Sequence, residues 1–386
     1  MRLTKYFKEF FSSSQSSGIL LILCVMISLM IANSSMADTF QNLLDTHLGP
    51  YSVSVWVNDG LMAIFFLLVG LEIKRELLEG ELSSFKNASL PIFAAIGGMV
   101  VPALVFMLFN HGTPYAKGWA IPMATDIAFS LAIVSMLGKG VPASIKVFLA
   151  ALAIVDDLGA ILVIAIFYTD EIHWNYLIYS GIIIALLIAL NFFKVKKHIF
   201  YLLPGILLWY FMHHSGIHAT IAGVLLAFTI PTNKSESEIS PLEKLEHSLH
   251  FPVSYLIMPI FALANTNITF KPGMVDGLFS NFGYGIVLGL FLGKLLGVNL
   301  FSLLAIKLKI SSLPESSNWR HMTGVGMLAG IGFTMSIFIS LLSYKGLQDI
   351  QDEAKFAILV ASIIAGTAGF ILLKSTISEN DADADF

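Results

Sequence analysis

The chain has 386 residues, 56% hydrophobic and 12% charged, with a mean hydropathy of +0.81. Soluble domains carry about 25% charged residues, so this composition is that of an integral membrane protein. The net charge of -4 says less than the distribution of charge does, and a single cysteine, Cys24, excludes an internal disulfide and any multi-cysteine metal site. No Gly-x-x-x-x-Gly-Lys-Ser/Thr phosphate loop is present, which argues against an ATP-driven pump, and neither a cofactor nor a nucleic-acid partner is expected.

Apolar runs fall at about 18–34, 53–73, 90–109, 119–137, 143–168, 176–193, 199–212, 216–231, 250–270, 282–306, 321–343 and 354–374. They predict an all-α polytopic protein of about twelve transmembrane helices, several of them short or interrupted by Gly or Pro. Residues 1–386 read as one transmembrane domain, with an N-terminal segment at 1–17 and a tail at 375–386. Within the first segment, Lys5 to Phe11 fits a short helix lying on the lipid surface. Met1 to Ala37 also has the pattern of a signal peptide, but a retained first span gives the consistent topology. Asp45 to Ser54, with Gly49-Pro50, predicts an external turn or hairpin. With both termini inside, 17 Lys and Arg residues fall on the cytoplasmic side and four, Lys117, Lys271, Lys345 and Lys355, on the other. The positive-inside rule then fixes the orientation. Pro231 to His247 is the longest polar link, and the acidic tail after Glu379 reads as disordered.

Charges inside the spans carry the functional signal. Asp156 and Asp157 stand side by side near the middle of the run from Val147 to Phe167, where no other charge occurs. An aspartate at a helix centre costs about 2.5–3.5 kcal/mol on insertion scales, and two adjacent carboxylates repel as well. A polar cavity, a cation or a buried base recovers that cost. Asp126 follows Pro122 and Thr125, a composition that breaks a helix and lines the break with oxygens. Lys294 is the one basic residue deep in a span, placed to neutralise an aspartate or the negative end of a broken helix. Gly324 to Ser336 holds four glycines and reads either as a packing face or as a second break. Two breaks in matching positions of two three-helix units suggest inverted repeats with a site between them.

A further set lies at the cytoplasmic helix ends. Glu72, Lys74, Arg75 and Glu76 close the second span, while Glu246, His247 and His250 open the ninth. Clustered His and Glu can sense pH, and a solvated helix end accounts for them equally well. His218 stands apart at the external start of the eighth span, and Asp59 reads as an interfacial residue rather than one central to transport.

Four stretches together resemble the bacterial NhaA sodium/proton antiporters: Ile121-Pro-Met-Ala-Thr-Asp-Ile-Ala-Phe129, Ala153-Ile-Val-Asp-Asp-Leu-Gly159, Gly216-Ile-His-Ala-Thr-Ile-Ala-Gly223 and Gly332-Phe-Thr-Met-Ser-Ile-Phe338. Asn58 to Met62 and Leu245 to His250 extend the match over nearly the whole chain. The resemblance implies helices 4 and 11 unwound and crossing at mid-membrane. It implies Asp157 as the main carrier of sodium and protons, with Asp156 a second cargo ligand that pairs with Lys294 when the cation is absent. Asp126 and Thr125 would lie beside the crossing. It further implies a pH-sensing set of Glu246, His247, His250, Glu72 and Glu76, His218 contributing from the other side, and a homodimer joined through the external hairpin. One position departs: the family has Pro after the buried lysine, whereas this chain has Leu295.

The expected function is electrogenic, pH-regulated exchange of internal Na+ or Li+ for external H+, by alternating access, with no enzymatic activity. A proton-coupled symporter needs an extra charged anchor for an organic solute, and none is found inside the spans. An intramembrane aspartyl protease keeps its two acids on separate helices, one in a Gly-x-Gly-Asp setting that Asp126 lacks. A passive channel has little use for two broken helices.

Overall fold

In hydrocarbon each backbone amide has to be satisfied within its own segment, which leaves helices as the answer for an apolar chain of this kind. The computed structural model describes residues 14–169, 171–233 and 239–384 and is almost entirely helical. Among the described residues seven helices are long and apolar enough to cross a membrane: Val53–Leu78, Phe85–Asn110, Ala143–Phe167, Trp174–Phe192, Pro241–Asn265, Asn281–Lys307 and Gln348–Ile377. Counting each of three bent helix pairs as a span raises the number to ten. Ile199–Ser215 and Ile221–Thr229 are helical but shorter, at 17 and 9 residues. The expected surface helix at Lys5 to Phe11 lies outside the described residues.

The chain divides into two compact units. The first comprises Met1–Leu29, Ser84–Ala160 and Ile268–Phe386. A straight helix, a broken helix and another straight helix follow one another twice in it. Phe85–Asn110 precedes the pair Pro114–Met123 and Ile127–Met136, and Asn281–Lys307 precedes the pair Trp319–Leu328 and Phe333–Ser343. The two pairs bend by 41° and 44°. Phe85–Asn110 packs on Asn281–Lys307 through glycine: a Cβ at Gly297 would fall on the backbone of Gly97, and one at Gly97 on Gly297 and Phe301. Close backbone approach of this kind replaces the hydrophobic drive that membranes do not supply.

The second unit comprises Met30–Ser83 and Ile161–Asn267. Its core joins Leu67 and Leu71 to Tyr201, Leu208, Leu226 and Leu242. Lys74 Nζ donates to the carbonyls of Phe228 and Ile230 at 2.8 and 2.6 Å, satisfying acceptors left at the end of Ile221–Thr229. The expected turn is a hairpin, with His47–Leu48 paired antiparallel to Tyr51–Ser52.

Two expectations need correction. Pro231 to His247, expected as a polar link, is helical from Pro241, because Ser240 and Glu243 form a capping box that starts the helix there. The last helix runs from Gln348 to Ala384, so the acidic stretch expected to be disordered is helical as far as Ala384. An existing helix extends by one bond per residue ordered, without a new nucleus, and Ala382 and Ala384 favour it. Lys355, counted on the external side, is buried in that helix, 3.6 Å from Asp352.

Three single π-turns were not expected: Trp56–Leu61, Val253–Ile257 and Gly289–Gly293. Each sits where Gly or Pro weakens the regular ladder, at Gly60, Pro252, and Gly289 with Gly293.

Gly297→Val should overpack the glycine seam and cost about 1–3 kcal/mol or more. Gly181, which faces open space, is the control. Thermal unfolding in detergent should show a clear drop for Gly297→Val and little change for Gly181→Val; equal midpoints would remove the seam from the account.

Candidate functional site

The site is built in the first unit where the two broken helices meet. Residues Ala124 to Asp126 are extended, with Asp126 at φ −83°, ψ 98°, and Ala329 to Gly332 separate the halves of the second pair. Helix ends buried in this way expose amides and carbonyls without intrahelical partners. Each break supplies the other. The Asp126 N–H donates to the Ile331 carbonyl at 2.6 Å. Ser130 Oγ donates to the Leu328 carbonyl at 2.9 Å, and Ser336 Oγ to the Ile121 carbonyl at 2.7 Å.

Asp126 caps two helices at once. One carboxylate oxygen accepts from the Phe129 N–H at 3.1 Å, in its own helix, and the other from the Thr334 N–H at 3.1 Å, in the opposing one. The Thr334 hydroxyl donates to that second oxygen as well. Each helix N-terminus carries about half a positive charge, so the pair stabilises this carboxylate as an anion.

The adjacent carboxylates come from Ala143–Phe167. Asp156 and Lys294 are fully buried and form an ion pair. The Thr125 hydroxyl lies 2.6 Å from Asp156 Oδ2 and 2.9 Å from the Ala329 carbonyl oxygen, so its one proton ties the acid to the second break. Asp156 Oδ1 is buried and accepts no hydrogen bond, which leaves an anionic oxygen open to a cation. Asp157, 2% exposed, lies within electrostatic range of Lys294.

Lys294 is aimed by the π-turn that ends at Gly293. Gly98 lies opposite, where a Cβ would stand 3.6 Å from Nζ, at ordinary contact distance. The distortion lies ahead of Lys294, and Leu295 continues the helix with its carbonyl held by Asn299 Nδ2 at 2.8 Å.

Three carboxylates thus gather with one ammonium group. Asp126 is met by two helix N-termini and Asp156 by Lys294, and the balance still wants about one positive charge. A proton or a small cation supplies it.

Of the residues expected to sense pH, the second unit brings four into two clusters. Arg75 Nε donates to both oxygens of Glu246 at 3.1 and 3.0 Å, and Arg75 Nη1 lies 3.0 Å from Glu76. Glu72 is within electrostatic range of Arg75, Glu76 and Glu246. His218 is buried, its Nδ1 2.8 Å from the Thr220 hydroxyl and its Nε2 3.6 Å from Asp59 Oδ1. His247 and His250 are exposed and stand outside both clusters, His247 within electrostatic range of Glu243.

Sequence reasoning passed over three participants. Thr334 was visible only as part of a glycine-rich stretch. Arg75 was taken as a helix-end charge, yet it is the centre of the Glu72, Glu76 and Glu246 group. His213 lies 3.1 Å from the other oxygen of Asp59, so Asp59 sits between two imidazoles rather than at a bare interface. Trp209 stacks on His213 and donates to the Asp59 carbonyl at 3.1 Å, which fixes the arrangement.

The family described as Na+/H+ antiporter 1 matches residues 8–373. The chain is 58% identical over 380 residues to Na+/H+ antiporter NhaA 2 of Flavobacterium johnsoniae, covering 96% of this chain and 93% of that one. It is 51% identical to the NhaA antiporter of Flavobacterium psychrophilum, covering 98% of this chain and all of that one. A 51% identity to NhaA of Dechloromonas aromatica covers 98% of each chain.

Lys294→Met strands Asp156 as a buried, unmatched charge, and we expect a loss of about 3–5 kcal/mol in stability. Adding Asp156→Leu should recover most of it, since removing both charges is often neutral. Thermal unfolding of the single and double variants decides the point; a double variant no better than the single would refute the pairing.

Proposed function

The chain belongs to the Na+/H+ antiporter 1 family, and on that premise we propose that it exchanges internal Na+ or Li+ for external H+, electrogenically and under pH control. It is a transporter rather than an enzyme, and a multi-pass membrane protein. The observation that carries the reading is the gathering of three buried carboxylates and one lysine at two facing helix breaks.

In this reading Asp157 is the principal carrier, with Asp156 a second ligand through its open oxygen. When the cation leaves, Asp156 is held by Lys294; when it binds, it displaces that ammonium group. Thr125 and Asp126 hold the frame. Sodium and protons compete for the same oxygens, and a site that changes access only when loaded with one or the other exchanges them without a further coupling device. Exchange is electrogenic when the proton charge moved differs from the sodium charge, which a carboxylate pair and a lysine can arrange.

Twelve spans follow if Ile199–Ser215 and Ile221–Thr229 each cross. The repeated order of straight, broken and straight helices would be two inverted repeats, with the broken members crossing at mid-membrane. Both termini would be cytoplasmic in a bacterial inner membrane. The Arg75 group and the Asp59 group would set the pH response from opposite sides, with His247 and His250 in solution beside the first. Two copies would join through the His47–Ser52 hairpin.

Proteoliposomes with an imposed pH gradient test the function directly. Sodium or lithium should dissipate the gradient, and Asp157→Asn should abolish the response; full exchange by that variant would sink the assignment. Competition also fixes a sign. Lower pH protonates the carboxylates, so the apparent KM for sodium should rise by up to about tenfold for each unit of pH lost, and saturating sodium should restore the rate. A maximal rate that collapses at constant KM would contradict competition. Glu246→Gln removes one arm of the Arg75 group and should shift the pH profile without lowering the maximal rate.

A further inference from the structure

An apolar groove of about 520 Å³ opens in the side of the first unit. Ile22 and Met26 form one bank, Ile133 and Met136 another, and Ile363 and Phe370 the third. The back wall is made of Phe129, Ile331 and Phe333. These are the residues that frame the breaks. The Ile331 carbonyl accepts the Asp126 N–H, and the Phe129 and Phe333 rings meet edge to face, with centroids 5.0 Å apart. Ser362, one of two polar residues in the lining with Thr367, has its oxygen taken up by the Phe333 N–H at 3.2 Å.

The groove is of the size that holds a small ligand, and it is lined almost wholly by hydrocarbon. Ile22, Met26, Met136 and Ile363 on its rim are exposed, and they continue the apolar outer faces of helices that cross the membrane. At that depth the surrounding medium is lipid tails. Hydrocarbon tails are therefore the apolar groups with direct access to the groove. None of the lining residues is charged, so nothing there selects a headgroup.

We propose that the groove is a binding site for one acyl chain of a bilayer lipid. The chain packs behind both breaks, against Phe129, Ile331 and Phe333, and supports from the apolar side the frame that holds the carboxylates on the other. The proposal rests on the membrane spans and the groove, not on the ion that the protein carries.

Photo-crosslinking the intact chain in proteoliposomes tests it, with a phosphatidylcholine carrying a diazirine in one acyl tail as a trace component. Peptides are then mapped by mass spectrometry. Labelling at Met26, Ile133 and Phe370 should be at least threefold denser than along Trp174–Phe192, an apolar span with most of its surface exposed. Gly366→Leu projects a side chain toward Ile133 and Ile331 and should cut groove labelling at least threefold while leaving the control span unchanged. Equal labelling of groove and control span would overturn the proposal. So would dense labelling that Gly366→Leu leaves intact, since the tail would then lie outside the cavity. The first comparison uses the unaltered chain and stands even if the variant fails to fold.

Discussion

One carboxylate with two helix N-termini on it is the constraint from which the rest of the site follows. Breaking a helix inside a membrane leaves donors and acceptors that no water reaches, and each such group costs several kcal/mol if left bare. Two breaks placed face to face resolve this together. Asp126 takes the amides of Phe129 and Thr334, while Ser130, Thr125 and Ser336 cover the carbonyls of Leu328, Ala329 and Ile121. Neither break is satisfied without the other, so the polar backbone needed beside a cation is held by mutual bonding.

The Asp156–Lys294 pair has a different character. A buried ion pair contributes little net stability, because desolvating two charges offsets most of their attraction. In the proposed exchange its value lies in being replaceable, since a cation that brings its own charge would take the place of the ammonium group at small net cost. Thr125 connects the two devices, since its hydroxyl touches both Asp156 and the second break. In the proposed exchange, a change of partner at Asp156 would thereby reach the backbone of Ala329.

Much of this was legible in the residues. A charged side chain deep in an apolar run has few explanations, which is why Asp126, Asp156, Asp157 and Lys294 stood out. Pro122 marked one break, whereas the glycines from Gly324 to Gly332 left a packing face and a second break equally open. Contacts between distant segments left no such trace. Nothing near Asp59 announces His213, about 150 positions away, and Thr334 gains its meaning only from Asp126 opposite. A count of positive charges could not show that Lys355 is buried beside Asp352. The start of the helix at Pro241 is another matter: Ser240, Pro241 and Glu243 spelled it out, but hydropathy alone set the expected boundary.

The π-turn at Gly289–Gly293 carries one extra residue in a single helical turn. Each residue turns a helix by about 100°, so that extra residue sets the phase of everything from Lys294 onward. Deleting one residue between Gly289 and Gly293 would relax the turn to a regular helix and swing the ammonium group off Asp156, with every side chain elsewhere unchanged. The meeting of Lys294 with Asp156 is thus set by the number of residues in that turn as much as by the chemistry of the side chains.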